Sequence, residues 1–75
     1  MTNEHVLYMI DSLPLNDEQK ERVKEIATDY ATNLAEIDHE WRPIYAYETF
    51  NKFVDEFDDD IDFVSIMNEI ARSIN

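Results

Sequence analysis

The chain has 75 residues, no cysteine, no glycine and a net charge of −12, with 44% of its residues hydrophobic. That length makes one domain with a small core, the missing cysteine excludes disulfides and thiolate metal sites, and no apolar run nears the ~18 residues of a membrane span. The negative balance disfavours direct contact with nucleic acid or an anionic membrane and favours a basic partner, and without a basic-then-apolar leader the default compartment is the cytoplasm.

Helical periods recur nearly throughout, and glycine, the usual residue of hairpins and left-handed caps, is absent. The expected fold is therefore all-α. Residues 4–13 predict a first short helix with Val6, Met9, Ile10 and Leu13 on one edge. Thr2 or Asn3 is its expected cap, and Ser12-Leu13-Pro14 its end, because the residue before proline is pushed out of the α region.

Residues 16–41 predict one long central helix of ~36 Å. Asn16 is its expected N-cap, with Gln19 completing a capping box. Val23, Ile26, Ala27, Tyr30, Leu34, Ile37 and Trp41 recur at three- and four-residue steps and form its inner stripe. Glu18, Glu21, Glu25, Asp29, Glu36 and Glu40 recur the same way on the opposite face. Pro43 is expected to break this helix near Arg42 and to open a third over 43–57. The aromatic face of that third helix would be Tyr47, Phe50, Phe53, Val54 and Phe57. Asp58, Asp59 and Asp60 read as a turn and as the cap of a fourth helix over 61–74. Phe63, Ile66, Met67, Ile70 and Ile74 supply the inner face of the fourth. The whole is a single acidic domain, 1–75, a small three- or four-helix bundle. A long helix against shorter ones leaves apolar surface uncovered near Trp41, Tyr45 and Tyr47, which predicts a homodimer or an aromatic docking patch.

No catalytic pattern is present: no G-x-S-x-G, no glycine-rich phosphate loop. A binding protein without enzymatic activity or cofactor is the expectation. Asp58, Asp60 and Asp62, with Glu69 at the twelfth place, match the ligand spacing of a calcium loop. Phe63 stands where that loop needs glycine, so an acidic cap is preferred to a calcium site. Glu36-x-x-His39 matches half of a di-iron motif but has no second half, and His39 reads as a solvated side chain beside Asp38 and Glu40.

Charge is unevenly spread. Between residues 25 and 69, Arg42 and Lys52 stand against thirteen acids. A solvated face normally mixes both signs, and like charges at i,i+3 or i,i+4 cost a few tenths of a kcal/mol per pair. A one-signed row is therefore expected to meet a cationic surface. Its geometry loosely follows a line of phosphates, ~3.4 Å apart along one DNA strand. The expected function is docking on a basic protein, most specifically as a nucleic-acid mimic that inhibits a DNA- or RNA-binding protein. Small size and acidity suit a phage or mobile-element inhibitor. The expected contact groups are Glu18, Glu21, Glu25, Asp29, Glu36, Glu40, Asp55, Asp58, Asp59 and Asp60. A regulatory or assembly subunit that binds through its aromatic face is the alternative, with acidity serving solubility.

Overall fold

Asn16 starts the longest helix. Its side chain accepts the Gln19 N–H at 2.8 Å, and its own N–H donates to the Gln19 side chain at 3.1 Å. This reciprocal box satisfies two of the donors that a helix start leaves open. Replacing Asn16 by alanine should cost ~1 kcal/mol. In a domain of this size that lowers Tm by about 4–8 °C, and Asn16→Asp should recover most of the loss. Thermal melts followed by circular dichroism check both variants.

The computed structural model describes residues 4–57 and 61–74. Among them run four α-helices: α1 (Glu4–Asp11), α2 (Asp17–Glu36), α3 (Arg42–Glu56) and α4 (Phe63–Ile74). A 3₁₀ turn, His39–Trp41, leads into α3. No strand occurs among the described residues, and no described helix is long and apolar enough to cross a membrane.

α1 ends two residues before the expected limit. The Ser12 hydroxyl and N–H both turn back to the Tyr8 carbonyl, at 3.0 and 3.1 Å, ahead of Pro14. Its expected caps, Thr2 and Asn3, lie outside the described residues. Val6 and Ile10 are fully buried, so α1 belongs to the core and the bundle has four helices rather than three and an arm.

The central helix is shorter than its period implies. It stops at Glu36, and Ile37 and Asp38 are extended. The last turn of α2 holds no basic residue. Continuing to Trp41 would add Asp38 and Glu40 beside Glu36 at the negative end of the helix dipole. The break removes both acids from the helix while Ile37 still packs against the core. Twenty residues give ~30 Å instead of ~36 Å. Trp41 thereby leaves the inner stripe and is 54% exposed. Pro43 sits in the first turn of α3, where its missing N–H is not needed.

α2 lies centrally: Val23, Ile26, Ala27, Tyr30, Ala31 and Leu34 are buried. α3 buries Thr49 and Phe53. Tyr47, expected on its inner face, is exposed, and Tyr45 turns inward instead, stacked on Tyr30 at 5.4 Å with its hydroxyl accepting from Asn33. Phe53 is held between Phe57 and Phe63, at centroid distances of 4.8 and 4.1 Å. α4 buries Phe63, Ile66, Met67 and Ile70, with Ile74 half-buried. Its first turn is held by Asp62, whose two oxygens accept the Ser65 N–H at 3.2 Å and the Ser65 hydroxyl at 2.8 Å. Asp58, Asp59 and Asp60, the expected cap, lie outside the described residues.

Candidate functional site

The acidic face of α2 follows from its period. Glu18, Glu21, Glu25, Asp29 and Glu36 fall close to opposite the buried stripe, and all five are exposed. Along the axis the steps are ~4.5 to 6 Å from Glu18 to Asp29, then ~10.5 Å to Glu36. Glu40 is exposed too, but it stands on the 3₁₀ turn beyond the extended break. The row on the helix therefore spans ~27 Å rather than reaching Glu40. Asp55 is exposed near the end of α3.

Two members of the row are neutralised within the chain. Arg22 donates to Glu25 at 2.6 Å and, through Nε, to Glu56 of α3 at 2.6 Å. Lys24 lies 3.5 Å from Glu21 and 3.3 Å from Asp11 of α1. These ties are the main correction to the sequence reading, which expected a one-signed row. Glu18, four residues before Arg22, is passed over. Glu18, Asp29, Glu36, Glu40 and Asp55 make no ion pair among the described residues. Arg22 and Lys24 thus act as struts from α2 to α3 and to α1. No helical period could reveal the first, whose partners are 34 residues apart. A shallow depression of about 500 Å³ runs along this face between Glu18, Glu21, Glu25 and Asp29, with Arg22 and Lys24 at its edge.

The hydrogen bond from Arg22 holds Glu56 below the ordinary carboxylate range, and its partners raise Arg22 in turn. Lys24 is raised by its bond to Asp11. A carboxylate depressed in the folded state stabilises the fold above the ordinary range and loses that effect as pH falls through its lowered value. Glu56→Gln should therefore lower Tm near neutral pH. The gap to wild type should close once the pH is below the carboxylate range. A gap of equal size in acid would mean that Glu56 acts through packing rather than charge.

A second surface has the opposite character. α3 and α4 leave a groove of about 460 Å³ between Pro43, Ala46, Tyr47 and Phe50 on one side and Val64 and Met67 on the other. His39 and Arg42 also line it. Of the three aromatics named from the sequence beside an uncovered end, Tyr47 lines this groove and is exposed, Trp41 is exposed but does not line it, and Tyr45 is half-buried.

Glu69 lies 3.7 Å from Arg72 and Asp62 is engaged by Ser65, so both described carboxylates of the calcium spacing already have partners within α4 and its cap. Glu36 and His39 no longer share a helix, because the extended residues separate them. Among the described residues no group of three or more His, Cys, Asp or Glu could hold a metal. Compared with known protein families, with characterised proteins and with solved structures, the chain has no match.

Proposed function

We propose that this protein is a non-enzymatic binding protein whose acidic face docks on a basic surface of another protein, as a mimic of nucleic acid that occludes a DNA- or RNA-binding groove. The observation that carries the reading is the row on α2: exposed carboxylates opposite the core, of which Glu18, Asp29 and Glu36 make no ion pair among the described residues. Exposed like charges at such spacing oppose folding slightly. A cationic groove relieves that cost and releases counterions from both surfaces. The internal ties narrow the contact set. Glu21 and Glu25 are already neutralised, so Glu18, Asp29, Glu36, Glu40 and Asp55 are the primary groups, with Glu21 and Glu25 behind them. The ties from Arg22 and Lys24 also support the reading in another way. They fix α2 against α1 and α3, and a rigid row loses less entropy on docking than a mobile one.

Capture on the immobilised chain from a cell lysate tests this. The expected result is a set of nucleic-acid-binding proteins held at low salt, released at high salt and displaced by duplex DNA or RNA. Captured proteins that resist salt and are not displaced by either nucleic acid would refute it.

A further inference from the structure

We infer that the cleft between α2 and α3 seats one arginine side chain of the partner, whose guanidinium is taken by Asp29 and Glu48 above the Thr49 hydroxyl. This seat rests on the acidic docking reading and names the group that the acidic face grips. The register of the two helices builds it. Arg22 donates to Glu56, and Asn33 donates to Tyr45. Asn33 stands eleven residues after Arg22 and Tyr45 eleven before Glu56, so α2 and α3 run antiparallel in one register. The same register sets Asp29, seven after Arg22, level with Thr49, seven before Glu56, and Glu48 adjoins Thr49. All three line a cleft of about 290 Å³, with Tyr30 and Tyr45 beside them. That is the share of roughly ten waters, room for one long side chain and too little for a helix.

Tyrosine aside, Thr49 is the only buried polar residue among the described ones, at 7% exposure. Its hydroxyl makes no hydrogen bond among them, yet it is not sealed from water. The α2–α3 cleft is the depression that Thr49 lines. A hydroxyl held that deep without a partner opposes folding, and a ligand that bonds it removes the cost. Asp29 and Glu48 are exposed and make no ion pair among the described residues. The cations of the cleft belong to its other end. Arg22 is already bonded to Glu25 and Glu56, and after Arg22 it is Lys52 that helps to hold the Glu56 carboxyl below the ordinary range. The Asp29–Glu48 end therefore asks for a cation with several donors. A guanidinium has five N–H groups in one plane, enough for two carboxylates and a hydroxyl together, and it stacks on rings such as the half-buried Tyr45. An ammonium is a hydrated point charge with three donors and stacks less well. A metal ion is not favoured, since no group of three or more His, Cys, Asp or Glu is gathered among the described residues.

The test is an NMR titration of the full chain with two blocked tripeptides of equal charge, alanyl-arginyl-alanine and alanyl-lysyl-alanine. The arginine peptide should shift the signals of Asp29, Glu48, Thr49 and Tyr45 and bind about fivefold or more tighter than the lysine peptide. Glu48→Gln and Thr49→Val should each weaken it about fivefold or more. Thr49→Ser, which keeps the hydroxyl, and Glu36→Gln, which removes an acid of the row away from the cleft, should stay near wild type. Circular dichroism checks that all four variants remain helical. No binding of either peptide overturns the inference. So do equal binding of both, shifts spread along the row, and indifference to Thr49→Val. The docking reading is judged apart from this, by capture from lysate. Salt-sensitive capture that Glu48→Gln and Thr49→Val leave unchanged removes the arginine seat and spares the reading. Arginine held in the cleft without any such capture spares the seat and removes the reading.

Discussion

Phe53→Ala should bring the domain to the midpoint of unfolding at room temperature. Phe53 has no exposed surface and joins α3 to α4, its ring stacked on Phe63 at 4.1 Å and 3° between planes and on Phe57 at 4.8 Å. Truncating a buried phenylalanine costs about 3–5 kcal/mol, because the transfer free energy is lost and a cavity remains. A single core of this size supplies about the same amount. The two cancel, so folded and unfolded forms should be about equally populated and roughly half of the helical signal lost at room temperature. Phe53→Leu keeps most of the volume and should stay folded with a lowered Tm. Tyr47→Ala, on the same helix but 68% exposed, should change stability by less than about 0.5 kcal/mol. A Phe53→Ala protein that melts cooperatively near the wild-type temperature would contradict this account of the core.

The features that could be read from the residues are those set by neighbours in the chain. Asn16 and Gln19 are three apart, and the capping box forms as their spacing requires. The stripe from Val23 to Leu34 and the face from Phe63 to Ile70 follow a 3.6-residue period and are buried accordingly. Elsewhere the deciding contact is distant or the period is blind to it. The apolar recurrence continues through Ile37 and Trp41 even though the backbone is extended at Ile37 and Asp38. Periodicity records which residues prefer the core, not whether acids may gather at a helix C-terminus. On α3 the expected phase is off because α2 and α4 both cover the helix, so Tyr45 is drawn to Tyr30 and Tyr47 is left outside. The pairing of Arg22 with Glu56 joins two helices and is invisible in either one. Asp62 caps α4, a role that the sequence reading gave to its neighbours.

Reversing Glu18, Asp29 and Glu36 together to lysine should abolish capture of the basic partner, a loss of about a hundredfold or more in affinity. Each lies exposed on the acidic face and makes no ion pair among the described residues, so its charge is available to a partner. Like-charge juxtaposition across an interface costs several kcal/mol, and ~2.7 kcal/mol is already a hundredfold. The fold should survive. The lysine replacing Asp29 would follow Glu25 by four residues, the favoured order for a helical pair, and the one replacing Glu36 would sit at the negative end of α2. Both gains are a few tenths of a kcal/mol and offset in part the repulsion that the lysine replacing Glu18 would meet at Arg22 and the loss of a favourable carboxylate in the first turn of α2. Loss of capture with an unchanged melt would therefore report on binding alone. Undiminished capture by the triple variant would mean that the acids of α2 serve solubility and that the partner, if any, is held elsewhere.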